Sequence, residues 1–315
     1  MSDEWKIAAF YHFVDLPDRD EWADRLVDHG LKAGLRGSII LAPEGINSTC
    51  SGSHAAIDAT IMLLREDPRF APMEVKYSYA DFCPFPKFKV KRKPEIVTFR
   101  QPGADPREDV GTYLEPEEWN DLIADPDVLT IDTRNDYEVR VGRFQGATNP
   151  DTEDFTSFAR FVDEQLKGRE AQKIAMYCTG GIRCEKASAL MQDMGFEEVF
   201  HLKGGILKYL EEVPAKDSRW QGECFVFDGR VAVDHALRPG RYDMCHACRM
   251  PLSDADMQSD DYQDGVSCPH CRPHLDPQRA ARFAERQKQI RLAAERGEKH
   301  LGRNPRKKPA GLGKS

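Results

Sequence analysis

The sequence lacks any long apolar run: nothing approaches the ~18 consecutive apolar residues of a membrane span, so no membrane partner is expected. Its opening, Met-Ser-Asp-Glu-Trp-Lys, shows neither the basic nor the apolar region of a secretory leader, which predicts a cytoplasmic chain. No G-x-G-x-x-G run is present, so no flavin or nicotinamide motif is seen, which is informative without being decisive; nor is there a convincing facial triad of iron ligands or an internal repeat. Basic charge is in deficit, with 45 Lys and Arg against 53 Asp and Glu. A uniformly acidic surface would argue against nucleic acid, but the distribution is uneven. Residues 276–315 hold 12 basic and 4 acidic residues, leaving the rest at −16, and residues 76–100 place 7 basic against 2 acidic inside that acidic body.

What is present suits a globular protein of two or three domains: 315 residues are enough for apolar cores without a disulfide framework. Nine cysteines in a chain with no expected export signal read as reduced thiols, and hence as chemistry or metal ligands.

Residues 5–13 read as a strand, 18–33 as a helix, 35–42 and 45–50 as two strands, a second helix follows Ser53, and 73–79 is a strand. This βαββαβ order predicts a ferredoxin-like, acylphosphatase-like sandwich over residues 1–100. Pro102, Gly103 and Pro106 mark a linker over 101–111. Residues 112–220 alternate helix 116–124, strand 128–132, helix 153–168, strand 173–178, helix 183–194, strand 197–202 and helix 205–212, the pattern of a parallel α/β sheet. Residues 221–275 combine a hairpin around Asp228-Gly229 with a cysteine cluster, and 276–315 read as a basic helix and disordered tail. The fold class is therefore a multidomain mix of α/β and α+β.

The sharpest feature is Tyr177-Cys178-Thr179-Gly180-Gly181-Ile182-Arg183-Cys184, which leaves an apolar strand and opens a helix. Cys178 falls at the carboxyl end of a parallel strand, where open α/β sheets place ligands. Glycines let the next amides turn inward toward an anion at a helix N-terminus. With Arg183 they favour a thiolate over a thiol of pKa ~8.5, and a two-unit drop needs about 2.7 kcal/mol. Cys184 reads equally as a thiol able to resolve an oxidised Cys178 and as a packing residue. Asp132 and Arg134 read as an ion pair supporting the loop rather than as a catalytic dyad.

With Asp132-Thr133-Arg134, Glu138 and Gly142 before the loop, and Val199-Phe200-His201-Leu202-Lys203-Gly204-Gly205 after it, residues 112–213 resemble the rhodanese family. The resemblance implies a persulfide carried on Cys178. The related phosphatase loop has five residues between Cys and Arg; four stand here, a tighter cradle that suits sulfur better than phosphate. The whole arrangement is more specific. Residues 41–47 (LAPEGIN), 81–97 (DFCPFPKFKVKRKPEIV), 177–188 and the CHAC…CPHC cluster are together similar to the tRNA uridine hydroxylase (TrhO) family. That resemblance implies oxygen-dependent conversion of the wobble uridine, position 34 in the tRNA anticodon, to 5-hydroxyuridine, with molecular oxygen as co-substrate and a reductant not identified.

The residues permit such a substrate. Lys87, Lys89 and Lys91 share one face of a strand at roughly 6.6 Å spacing, Arg92 and Lys93 extend them, and Phe82, Phe85 and Phe88 are candidate stacking partners for bases. The other reading of the lysines is edge-strand protection. Arg279, Arg282, Arg286 and Arg306-Lys307-Lys308 read as a solvated face before an RNA site. Cys245, Cys248, Cys268 and Cys271 form two C-x2-C pairs separated by 19 residues, the spacing of a structural Zn2+ site, with a reduced metal-free pair of turns as the alternative.

A cofactor-free route is open to a Cys178 thiolate: addition to C6 of uridine makes C5 electron-rich toward oxygen, with Arg183 and the Thr179, Gly180, Gly181 and Ile182 amides stabilising the anion. A sulfurtransferase using a Cys178 persulfide is the competing enzyme, and a zinc-stabilised RNA-binding module with an idle loop is the non-enzymatic alternative.

Overall fold

The computed structural model describes residues 4–297. The chain divides into two compact units, the first ending at Asp243 and the second beginning at Met244.

The first unit opens with β1 (Trp5–Phe13), α1 (Arg19–Lys32), β2 (Arg36–Ala42), β3 (Gly45–Gly52), α2 (His54–Arg65), β4 (Val75–Ala80) and β5 (Phe88–Arg92). They form one sheet in the order β4-β1-β3-β2-β5. The expected βαββαβ sandwich is present, with β5 added at the edge, parallel to β2 and in register from Gly37 opposite Phe88. The apolar faces of the helices (Trp22, Leu26, Ile57, Ile61, Leu64) close over Phe10, Ile39, Leu41 and Ile46. Ser53 caps α2 by accepting the Ala56 amide at 3.2 Å. Phe88 turns inward against Gly30 of α1, which removes it from the expected stacking set.

Residues 101–111 are not a free linker. The chain is anchored at points rather than along its length: just before this segment Phe99 is buried and stacks on Phe155 at 4.3 Å, within it Ala104 and Gly111 are buried, and Arg107 pairs with Asp105 and Asp15.

The second sheet contains β6 (Thr112–Leu114), β7 (Leu129–Asp132), β9 (Ile174–Tyr177) and β10 (Val199–Leu202), all parallel, in the order β6-β10-β9-β7. Its helices include α3 (Pro116–Leu122), the short α4 (Asp136–Val139), α6 (Ile182–Asp193) and α7 (Gly205–Glu212). The strand β6, α4 and the small β8 (Gly142–Phe144) were not legible in the sequence. The helix expected over 153–168 is broken into a 3₁₀ turn, the single turn α5 (Phe158–Phe161) and a π turn over Val162–Leu166. Phe158, Val162 and Leu166, four residues apart, all reach the core.

The hairpin β12 (Cys224–Phe225) and β13 (Ala232–Val233) follows β11 (Trp220–Gly222), which pairs with β8. The sequence grouped this hairpin with the cysteines. The structure places it on the α/β core instead, where Cys224, Val226 and Val233 join Trp119, Phe144, Tyr177 and Trp220.

At the boundary β14 (Asp243–Met244) pairs with β15 (Pro251–Leu252), and the second unit continues with α8 (Asp254–Met257) and α9 (Pro277–Glu295). Its buried centre is small: Cys245, Leu252 and Cys268. Asp276 caps α9 by accepting the Arg279 amide at 2.8 Å. Arg286 donates to the carbonyls of His246 and Gly265, both at 2.9 Å, so it braces this unit. Arg306, Lys307 and Lys308 lie outside the described residues.

Candidate active site

The strand β9 is buried along its length and delivers Cys178 to the end of the parallel sheet. The loop Cys178–Arg183 then curls around the sulfur, which accepts the Gly181 amide at 3.1 Å. The loop carbonyls are captured by the start of α7: Ile206 donates to Cys178 at 2.9 Å and Leu207 to Thr179 at 3.1 Å. Gly205 has φ +67°, and a Cβ there would lie 2.4 Å from the Cys178 carbonyl oxygen. Close approach of two backbones explains the paired glycines after β10.

Three buried ion pairs or polar contacts hold the loop. Arg183 grips Glu138 with both nitrogens, at 2.6 and 2.8 Å. Arg134 is fully buried, binds Asp132 at 2.8 and 2.6 Å, and donates to Gly142 at 2.6 Å. Thr133 approaches the Cys184 sulfur at 3.5 Å, with its hydroxyl also donating to the Tyr177 carbonyl. Burial would push the Cys178 thiol up. Hydrogen bonds from Cys184, the Arg183 charge and the loop amides override burial and draw it well below the usual thiol range. Burial and the neighbouring Cys178 anion push Cys184 the other way, so it is the protonated partner. Arg183 is committed to Glu138, which leaves its role at the sulfur as a fixed charge and a brace.

The sandwich domain covers this loop. Tyr11 of β1 donates to Glu185 of α6 at 2.6 Å, and its hydroxyl would lie 2.8 Å from a Cβ at Gly181, whose φ is +103°. Lys76 of β4 donates to the Gly180 carbonyl at 2.9 Å. Burial lowers the Lys76 ammonium, opposed by the charges of Cys178, Glu74 and Glu185. Burial raises Glu185 to about 7, although Tyr11 and Tyr113 both hydrogen-bond its carboxyl. Lys186, one residue on, is buried between Glu44 at 2.9 Å and Glu95 at 2.8 Å, and Asn47 donates to the Ile96 carbonyl at 2.9 Å. The LAPEGIN and KPEIV segments thus buckle the two domains together.

Between the domains lies a cavity of about 560 Å³, within the range of small-ligand pockets. Cys178, Thr179, Gly180, Ile182 and Arg183 line one side, Tyr11, Asn47 and Lys76 another, and Lys91 and Lys93 also reach it. Lys89 of β5 and Lys87, one residue before it, are exposed. Arg92 departs from that row: the alternation of the strand turns it toward α1, where it pairs with Asp20 at 2.9 Å and with Asp24. Phe82 is exposed and Phe85 half-buried. Sequence reasoning missed Tyr11, Lys76 and Glu185, which lie apart in the chain. It quoted Glu138 without a role, although the acid four residues after Arg134 was the available signal.

In the second unit the sulfurs of Cys245, Cys248, Cys268 and Cys271 all lie within 4.8 Å of one another, a set that could hold a metal ion. Cys248 and Cys268 stand 3.7 Å apart, Cys268 and Cys271 3.8 Å.

A parallel sheet ending in a cysteine loop closed by a helix start defines the rhodanese-like class, and residues 115–212 match the model of the rhodanese-like domain. Residues 5–96 match the UPF0176 acylphosphatase like domain. The chain is 51% identical over 302 residues to the tRNA uridine(34) hydroxylase of Teredinibacter turnerae, covering 96% of this chain and 94% of that one. It belongs to the tRNA uridine(34) hydroxylase family. Among solved structures it is similar to a rhodanese-like domain from Anabaena sp. (20% identity, 35% of this chain and 78% of that one, TM-score 0.29). It is also similar to a Rhodopseudomonas palustris protein of unknown function described as a possible tyrosine phosphatase (26% identity, 34% and 83%, TM-score 0.29). No helix among the described residues is long and apolar enough to cross a membrane.

Proposed function

We propose that this protein hydroxylates C5 of uridine at position 34 of tRNA in the cytoplasm, using molecular oxygen and the thiolate of Cys178. The observation that carries the reading is family membership across 96% of the chain, with an activated thiolate at the cavity between its two matched domains. The ring enters that cavity, and the tRNA backbone follows Lys87, Lys89, Lys91 and Lys93. Arg92 is committed to α1 and takes no part.

The thiolate forms a bond to C6, and the C5–C6 electrons shift toward O4. C5 then forms a bond to oxygen. The peroxide anion so formed takes a proton from water, and an external donor of two electrons and two protons then reduces the hydroperoxide to C5–OH with release of water. Loss of the C5 proton and breaking of the S–C6 bond restore the double bond and return the thiolate. The Gly181 amide and the Arg183 charge hold the sulfur anionic at both ends of the cycle. Asp132 and Arg134 act by bracing the loop, and Cys184 stays protonated beside it.

We assign a structural Zn2+ to the four cysteines of the second unit. A tetrahedron of thiolates at about 2.3 Å from zinc has edges of about 3.8 Å, which the sulfur separations of 3.7 and 3.8 Å match. Four sulfurs close the coordination shell, so its role there is to stabilise the unit.

The test is nucleoside mass spectrometry of tRNA treated with purified protein, aerobically and anaerobically, and of tRNA from a deletion strain complemented with wild type or Cys178→Ser. Oxygen-dependent 5-hydroxyuridine from wild type alone is expected. Equal product from Cys178→Ser removes the thiolate route. Thiosulfate-to-cyanide turnover with unmodified tRNA replaces the reading with sulfur transfer.

A further inference from the structure

The loop chemistry just described needs a group that removes the C5 proton, and none of the loop side chains is free to do so. Arg183 is bound to Glu138, the Thr179 hydroxyl donates to the same carboxylate at 3.3 Å, and Cys184 just beyond the loop is held protonated. The sandwich domain places one hydroxyl over the loop: Tyr11 lines the cavity, sits against Gly181, and is bonded at 2.6 Å to a carboxyl that is itself out of water. Resting on the C6-addition reading, we propose that Tyr11 and Glu185 form a proton relay for the final elimination: Tyr11 Oη takes the C5 proton while passing its own to the Glu185 carboxylate.

The step balances. The C5–H electron pair becomes the C5–C6 double bond, the S–C6 pair returns to the Cys178 sulfur, and the proton count on Tyr11 is unchanged. Tyr11 is the catalytic residue, and Glu185 is a positioning residue that acts through it. Glu185 is faced by Tyr11 from β1, Tyr113 from β6, Lys76 from β4 and Cys178 from the loop, with His201 of β10 packed against Tyr113, ring centroids 4.2 Å apart and tilted. Burial, the largest influence, holds its carboxyl near 7, close to the operating range that suits a general base. The relay accepts a proton only when Glu185 is ionised, so turnover rises with pH through about 7.

The experiment is single-turnover hydroxylation of tRNA carrying ordinary or 5-deuterated uridine 34, from pH 5.5 to 9, with wild type, Tyr11→Phe and Glu185→Gln. Both variants are expected to lose about 100-fold in single-turnover rate or more with an unchanged half-saturating tRNA concentration, and Glu185→Gln to lose the inflection near 7. In wild type, deuteration is expected to slow turnover most below pH 7. Wild-type rates and pH profiles in either folded variant overturn the relay. If the variants do not fold, a wild-type rate insensitive to deuteration below pH 7 overturns it. Absence of 5-hydroxyuridine from wild type itself removes the underlying reading, and the relay with it.

Discussion

Glu185 is a single carboxyl whose burial has a measurable cost. Its folded value, raised to about 7 from an ordinary 4.5, means the stability it contributes is complete below 4.5 and is lost as pH rises through 7. A shift of that size is worth about 3 kcal/mol. Urea titrations between pH 4.5 and 7.5 are expected to show that loss in wild type and a flatter profile in Glu185→Gln. Glu138 gives the opposite case. It is fully buried and doubly bonded to a buried guanidinium, so Glu138→Ala strands the Arg183 charge. Breaking such a pair costs about 3–5 kcal/mol, and the midpoint of guanidinium chloride unfolding should fall accordingly. The sequence showed that Cys178 and Arg183 belong together because four residues and a helix start separate them. It did not show that Glu138 claims the arginine, since that contact depends on α4, a single turn too short to leave a periodic signal.

Among the elements, β5 separates two kinds of basic residue by strand alternation alone. Lys89 and Lys91 are exposed, whereas Arg92 is neutralised by Asp20 and Asp24. Lys89→Ala with Lys91→Ala is therefore expected to weaken tRNA binding and to lower the slope of log affinity against log salt by roughly 1–2. Arg92→Ala should leave that slope unchanged in the same filter-binding series. The helix start at α7 makes a second prediction. Gly205→Ala puts a Cβ into the Cys178 carbonyl at a φ that disfavours side chains, so iodoacetamide should lose its preference for Cys178 at pH 6. Strand and helix order were legible from apolar periodicity in both sheets. The π turn after α5 and the strand β6 were not, because core contacts made late in the chain decide them.

For the whole molecule, zinc content is the direct check on the second unit: about one ion per chain, lost in Cys245→Ser with Cys268→Ser. A strong chelator should abolish the corresponding thermal transition while the first unit keeps its own. The fold class was readable from the sequence; within residues 101–111, expected as a linker, Ala104 and Gly111 are nevertheless buried, and the hairpin at Cys224–Val233 packs on the α/β core. The cover that the sandwich places on the loop also bears on ancestry. A hydrogen in place of a side chain at Gly181 makes room for the Tyr11 hydroxyl. Glycine is held at 181 twice over, by the +103° φ of the loop and by a hydroxyl from a residue 170 positions away, so a descendant that shed the sandwich would still need glycine there.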